Sequence, residues 1–225
     1  DTLSRVMEFG PEHISAYSLS IEPGTPFACD QEILDSLPTE MIDRRMYEVT
    51  KKLLSANGYE RYEFSNYSRP GYECKHNMVY WTGGEYIGLG LGASSYFQGK
   101  RFNNIRNLVQ YINTMEDISP KFVDCPNLEL LYNDGVRRIR ENISPIYIDS
   151  RMEEFMFLGL RMMCGISRTD FEERFNKDIY EVYGPVLRKY IDSGYMAVYE
   201  DRIFLTDMGI DVSNVILADF LLDKE

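Results

Sequence analysis

Apolar residues along this chain recur with two periods, and the switches between them mark out its elements. Leu3, Val6, Met7 and Phe9 fall at helical spacing until Gly10-Pro11 ends the segment. Residues 13–21 alternate apolar and polar positions as a strand, and Glu22-Pro23-Gly24-Thr25-Pro26 makes a tight loop. Met41, Ile42, Met46, Val49, Leu53 and Leu54 return to the helical period, with Thr39 as the opening and Asn57-Gly58 as the stop. Residues 59–67 read as another strand, and strand, helix, strand is the unit of a parallel sheet or barrel. Residues 86–97 and 101–103 pattern as a hairpin turning at Gln98-Gly99-Lys100, followed by a helix over about 105–115.

Residues 120–126, bounded by Pro120 and Pro126, supply the linker, and the remainder is largely helical, with segments at 128–133 and 152–163. Ser167-Arg168-Thr169-Asp170 carries an N-cap signal. Residues 179–191 are amphipathic, with Gly184-Pro185 expected to kink or restart the helix. A short hairpin turns at Glu200-Asp201, and Asp207 is expected to cap a last helix reaching about residue 222. Helix, helix, hairpin and helix together resemble a winged helix-turn-helix.

Charge tests whether that module binds DNA. The chain of 225 residues has a net charge of −12, and residues 151–225 hold nine basic against fifteen acidic side chains. A groove-binding helix needs cations for phosphates and base edges, so nucleic acid is excluded as the main partner. Arg137-Arg138-Ile139-Arg140 is the one basic run, and it has the spacing of a solvated helix face. No apolar run approaches the roughly 20 residues that span a bilayer, and residues 1–12 carry charge where a signal peptide would be apolar. The expectation is a cytoplasmic chain with no integral membrane segment. Cys29, Cys74, Cys125 and Cys164 are too far apart for a local metal site and read as reduced thiols, mostly in the core.

The densest chemistry lies at His76-Asn77-Met78-Val79-Tyr80-Trp81, followed by a Gly-rich run from Gly83 to Gly92. His76 is one of two histidines and Trp81 the only tryptophan. Imidazole binds iron and moves protons near neutral pH, while Tyr and Trp offer flat apolar surface to a planar ligand. The competing reading is a core histidine at the junction of a loop and a strand.

Several segments occur in a telling order. They are Ser15-Ala16-Tyr17-Ser18-Leu19-Ser20-Ile21-Glu22-Pro23-Gly24-Thr25-Pro26, Glu63-Phe64-Ser65-Asn66-Tyr67-Ser68-Arg69-Pro70-Gly71-Tyr72, His76-Asn77-x-x-Tyr80-Trp81 and Gly88-Leu89-Gly90-x-Gly92-Ala93. Phe171-x-x-x-Phe175, Leu187-x-x-Tyr190, Gly194-Tyr195, Leu205-Thr206-x-x-Gly209 and Ser213-Asn214 continue the series. Together they resemble the central and C-terminal parts of HemW-type radical S-adenosylmethionine (SAM) proteins, a family often labelled oxygen-independent coproporphyrinogen III oxidases.

That resemblance implies an α/β fold in two parts. Residues 1–119 would hold late strands and helices of a partial (β/α)6 radical SAM barrel with a hairpin extension. Residues 120–225 would form a mostly helical, winged-helix-like domain of the HemN C-terminal type. His-Asn-x-x-Tyr-Trp marks the haem-chaperone branch, so the resemblance implies haem or porphyrin binding, with His76 as iron ligand, Tyr80 and Trp81 on the porphyrin face, and delivery to haem-accepting apo-proteins. Ser20 and Ser94 map loosely to positions near SAM. Many HemW-like sequences have Gly-Ala-His where this chain has Gly92-Ala93-Ser94, a departure that removes one possible haem or proton-transfer group. The CxxxCxxC run that holds a [4Fe–4S] cluster is absent here, so the cluster and its radical chemistry are expected to belong to a longer parent protein. Coproporphyrinogen III decarboxylation and a non-catalytic docking role are the alternatives.

Overall fold

The computed structural model describes residues 1–123 and 136–222. The expected helix at 128–133 and Cys125 therefore lie outside the described residues. The described chain is a mixed α/β structure with three small antiparallel sheets, each of three strands. No described helix is long and apolar enough to cross a membrane.

The first sheet has the order β1-β3-β2, with β1 at His13–Ser15, β2 at Glu60–Arg61 and β3 at Asn66–Ser68. Helix α1 (Thr2–Glu8) precedes it, α2 (Gln31–Ser36) follows β1, and α3 (Glu40–Ala56) leads into β2. Both β1 and β2 run antiparallel to β3, which separates them, so the expected parallel pairing is not formed. The reason is local. The expected strand at 59–67 breaks in the middle, where Ser65 N and Asn66 Nδ2 both donate to Glu63 Oε1, at 2.9 and 2.5 Å. That turns the chain back, and Tyr62 N donates to Asn66 O across the turn. The first expected strand is also shorter than its alternation implied: after one bond from Ala16 N to Ser65 O it leaves the sheet with Tyr17 and Leu19 exposed.

Helix α3 follows its expected bounds because its ends are chemically specified. Thr39 Oγ1 accepts from Ile42 N, and Gly58 at φ +81 leaves the helix in a conformation that only glycine adopts without strain. Its Leu54 packs with Ile14, Tyr59 and Tyr67 into a small core under the sheet.

The second sheet joins β4 (Ser94–Phe97), β5 (Lys100–Asn104) and β6 (Arg140–Pro145) in that order. The hairpin expected at Gln98-Gly99-Lys100 turns on Gln98 and Gly99 alone, both at positive φ, +50 and +68, and Lys100 already belongs to β5. The expected strand from residue 86 shortens to β4 because residues 88–92 fold as a loop beside it. Gly88 is required there, since a Cβ would lie 2.3 Å from Ser94 O. Helix α5 (Leu108–Val123) runs through Pro120, where composition predicted a linker.

The last part carries the large core. Helix α6 (Ile148–Gly159), α7 (Arg168–Phe175) and α8 (Ile179–Asp192) pack around the sheet β7-β9-β8, at Ile166–Ser167, Arg202–Leu205 and Met196–Tyr199. Met156, Leu160, Phe171, Leu187, Ile203 and Ile216 are fully buried, and Phe64 of the first part is inserted among them. Ser167 Oγ accepts from Asp170 N, the cap read from sequence.

Helix α8 does not restart at Pro185, and Ile179, Tyr183, Leu187 and Tyr190 form one buried stripe along it. The cap after β9 is Thr206, whose Oγ1 accepts from Gly209 N, and the final helix divides into α9 (Asp207–Asp211) and α10 (Ser213–Ala218). Asp207 serves instead as a tie, accepting from Lys51 of α3 at 2.5 Å and Arg61 of β2 at 3.1 Å.

Gly165 sits at φ +62, and a Cβ there would lie 2.1 Å from Ile203 O. Gly165→Ala should therefore lower stability by about 3 kcal/mol, from left-handed strain and overpacking together, read as a fall in thermal midpoint. The Lys51 ammonium holds the Asp207 carboxyl below its usual range, with Arg61 adding to it. A depressed carboxyl contributes stability above its unfolded pKa and loses it as pH falls through the folded value. The side chain is 71% exposed, so solvent screens the pair. Asp207→Asn should cost well under about 1 kcal/mol at neutral pH, and the gap should close on acidification below about pH 4, checked by denaturant melts across pH.

Candidate functional site

The His76 segment is neither a core position nor the start of a strand. It is a seven-residue helix, α4 (Lys75–Trp81), and His76 is exposed on it. A helix this short is marginal alone, so neighbours must hold its ends. The Tyr62 hydroxyl bonds His13 Nε2 at 2.9 Å and also reaches the Asn77 side chain and the Cys74 backbone, tying the helix start to the first sheet. Burial is the main influence on that hydroxyl and raises its pKa. At the other end Arg174 of α7 donates through Nη1 to Thr82 O at 2.8 Å, and through Nε to Asp170 at 2.7 Å. The helix is thus clamped between the two cores.

Residues four apart share a helix face and the next residue lies about 100° round. His76 and Tyr80 accordingly meet: His76 Nε2 and Tyr80 OH are 3.0 Å apart, and the rings pack edge to face with centroids at 4.9 Å. Tyr80 continues onto Tyr86, at 4.6 Å. Trp81 goes elsewhere. The Arg161 guanidinium covers its ring at 4.7 Å and the ring of Phe64 at 4.8 Å. Trp81 lines a separate cavity of about 240 Å³ with Met78, Gly159, Met162 and Cys164. The structure therefore brings His76 and Tyr80 together and sets Trp81 against different neighbours.

Tyr80 forms part of a second cleft, of about 130 Å³. Tyr86, Tyr96, Phe155 and Phe175 supply its aromatic walls, and Arg101, Arg151, Arg174 and Glu154 its charges. Arg101 forks onto the Glu154 carboxylate at 2.8 and 3.0 Å, a geometry that fixes both side chains. Sequence reading missed these groups. They come from β5, α6 and α7, and nothing in their local spacing links them.

Ser20 is exposed in the segment after β1, and Ser94 opens β4 with its Oγ accepting from Asn103 Nδ2 at 2.6 Å. The thiols depart from expectation: Cys29 and Cys164 are exposed and Cys74 is half-buried, since each lies in a loop or at an element end rather than on a buried stripe. Among the described residues no three His, Cys, Asp or Glu side chains converge on a metal-binding point. The donor chemistry here suits a single imidazole ligand, with rings and guanidinium groups beside it.

Comparison with known proteins gives the family and the fold. Residues 149–212 match the HemN C-terminal domain. The chain is 33% identical to the heme chaperone HemW of Lactococcus lactis over 222 residues, covering 98% of this chain and 53% of that protein. It is 28% identical to heme chaperone HemW of Bacillus subtilis and 29% identical to that of Escherichia coli, in each case over 98% of this chain and 54% and 53% of the relative. The chain thus spans about half the length of these relatives. Among solved structures it superposes on coproporphyrinogen III oxidase (HemN) from Escherichia coli, a radical SAM enzyme, with TM-score 0.68 and 19% identity, covering 98% of this chain and 50% of that one. At that identity the likeness establishes the fold.

Proposed function

We propose that this chain, which matches the C-terminal part of HemW-type proteins and carries a HemN C-terminal domain, binds haem iron through His76 and serves haem delivery. The observation that carries this reading is the exposed His76 imidazole hydrogen-bonded to Tyr80 on the free face of α4. A neutral imidazole has one N–H and one bare nitrogen. When Nε2–H donates to the Tyr80 oxygen, Nδ1 keeps its lone pair and the ring is held in one orientation. An outer hydrogen bond of this kind fixes the tautomer of a metal-binding histidine and raises its basicity. Bound haem would supply a Lewis-acidic iron to that nitrogen. Tyr80 and Tyr86 would meet the flat macrocycle through their rings. Trp81 would support α4 from behind, through its stack with Arg161.

In a protein of the relatives' full length, residues 1–119 would complete late strands of the radical SAM barrel, Ser20 and Ser94 would face SAM, and the [4Fe–4S] cluster would be held by residues outside these 225. Haem-accepting apo-proteins would be the partners, and the cytoplasm the place.

Haemin titration followed by absorption tests the reading. The chain should show a saturable one-site Soret shift that His76→Ala loses. Tyr80→Phe should keep the spectral signature while binding about tenfold more weakly, the usual scale for losing an outer-shell partner. Equal, non-saturable uptake by the parent chain and His76→Ala would remove His76 as the anchor.

A further inference from the structure

The cleft beside Tyr80 holds an uncommitted cation in an acidic protein. Three guanidinium groups face one carboxylate there, whereas the chain as a whole has a net charge of −12. The three are not equivalent. Arg101 is occupied by Glu154 through both terminal nitrogens, and Arg174 by Asp170 and the Thr82 carbonyl. Arg151 is exposed in the first turn of α6 and stands over the Phe175 ring at 5.9 Å. Among the described residues its guanidinium makes no hydrogen bond or ion pair. The two committed arginines fix the walls, their charges balanced by Glu154 and Asp170, and Arg151 is left to bind.

Size narrows the occupant. The cleft measures about 130 Å³, below the roughly 300–1,000 Å³ of pockets that enclose a whole ligand. It suits a short arm ending in an anion better than a ring system. Guanidinium pairs best with planar, two-oxygen anions, which makes a carboxylate the natural match. Aromatic walls would accept the methylene stem of such an arm. The link to the haem face is direct, because Tyr80 both bonds His76 and lines the cleft.

We infer that Arg151 and the cleft of Tyr80, Tyr86 and Phe175 form a carboxylate subsite that takes an acidic side arm of the tetrapyrrole held at His76. The inference rests on the haem-binding reading and adds the recognition of the ligand's edge. It also implies selectivity: tetrapyrroles with free carboxylates bind, and esterified ones bind less well. An exposed ion pair contributes up to about 1 kcal/mol, so the expected effect is about fivefold in affinity.

The experiment measures binding of metal-free deuteroporphyrin IX and its dimethyl ester by fluorescence, and of haemin by absorption, to the 225-residue chain, Arg151→Gln and His76→Ala. Metal-free porphyrin needs no iron ligand, so it reads the subsite separately from His76. The subsite predicts about fivefold weaker binding of the free acid to Arg151→Gln and a similar loss for the ester on the parent chain. The ester should not respond to Arg151→Gln, and added salt should weaken the free acid more on the parent chain than on the variant. Acid and ester binding the parent chain equally, with haemin still dependent on His76, would overturn the subsite and leave the haem reading standing. Free-acid binding that depends on Arg151, with haemin indifferent to His76→Ala, would keep the subsite and overturn the iron ligand. Failure of every porphyrin to saturate the parent chain would overturn both. A circular dichroism melt of Arg151→Gln matching the parent chain excludes misfolding, as expected at an exposed position.

Discussion

A carboxylate almost without solvent organises this protein around its candidate site. Glu63 is 1% exposed, and burying a charged group is costly unless donors surround it. Ser65 N and Asn66 Nδ2 meet that demand by wrapping the chain around Glu63 Oε1. Three consequences follow from the one turn. The strand direction reverses and sets the antiparallel sheet. Tyr62, just before it, points its hydroxyl at the start of the His76 helix. Phe64, just after it, enters the core of the C-terminal part. The placing of the His76 helix against both parts of the chain traces to the five residues from Tyr62 to Asn66.

The cores on either side are unequal, and the inequality matters for the site. The C-terminal part holds a continuous buried cluster from Met152 to Phe220, with Phe155 packed edge-on to Phe171 and Phe175. Among the described residues, the cluster under the first sheet holds Ile14, Leu54, Tyr59 and Tyr67, and many apolar side chains of the first part are exposed. The His76 helix bridges these two regions and belongs to neither. Its short length gives it little stability of its own, so the rigidity of the imidazole is borrowed from the larger core through Arg174 and from the smaller one through Tyr62.

Much of the secondary structure was legible because its signals are local. Thr39 and Ser167 cap helices through their own side chains, and Gln98-Gly99 takes the positive φ that a two-residue hairpin needs. What failed depended on partners distant in sequence. Alternation at 59–67 hid a turn that only the Glu63 bonds reveal, and α8 does not restart at Pro185, with a buried stripe along its length. At the site, the sequence reading placed no helix around His76; once α4 forms, His76 and Tyr80, four residues apart, meet on one face, and Trp81, one residue further on, meets Arg161 instead. The arginines of the cleft had no local signature because β5, α6 and α7 each contribute one.

The placement of Trp81 gives the protein an internal reporter. It is the only tryptophan in the chain, and its indole N–H is buried with no hydrogen-bond partner among the described residues. One face lies under Arg161, which also covers Phe64 from the first part of the chain. Tryptophan emission, excited at wavelengths where tyrosine does not absorb, therefore comes from a single ring placed where the two cores meet. Its colour and quenching will follow the parting of that contact, so the looseness of the joint can be followed by light alone, without any label.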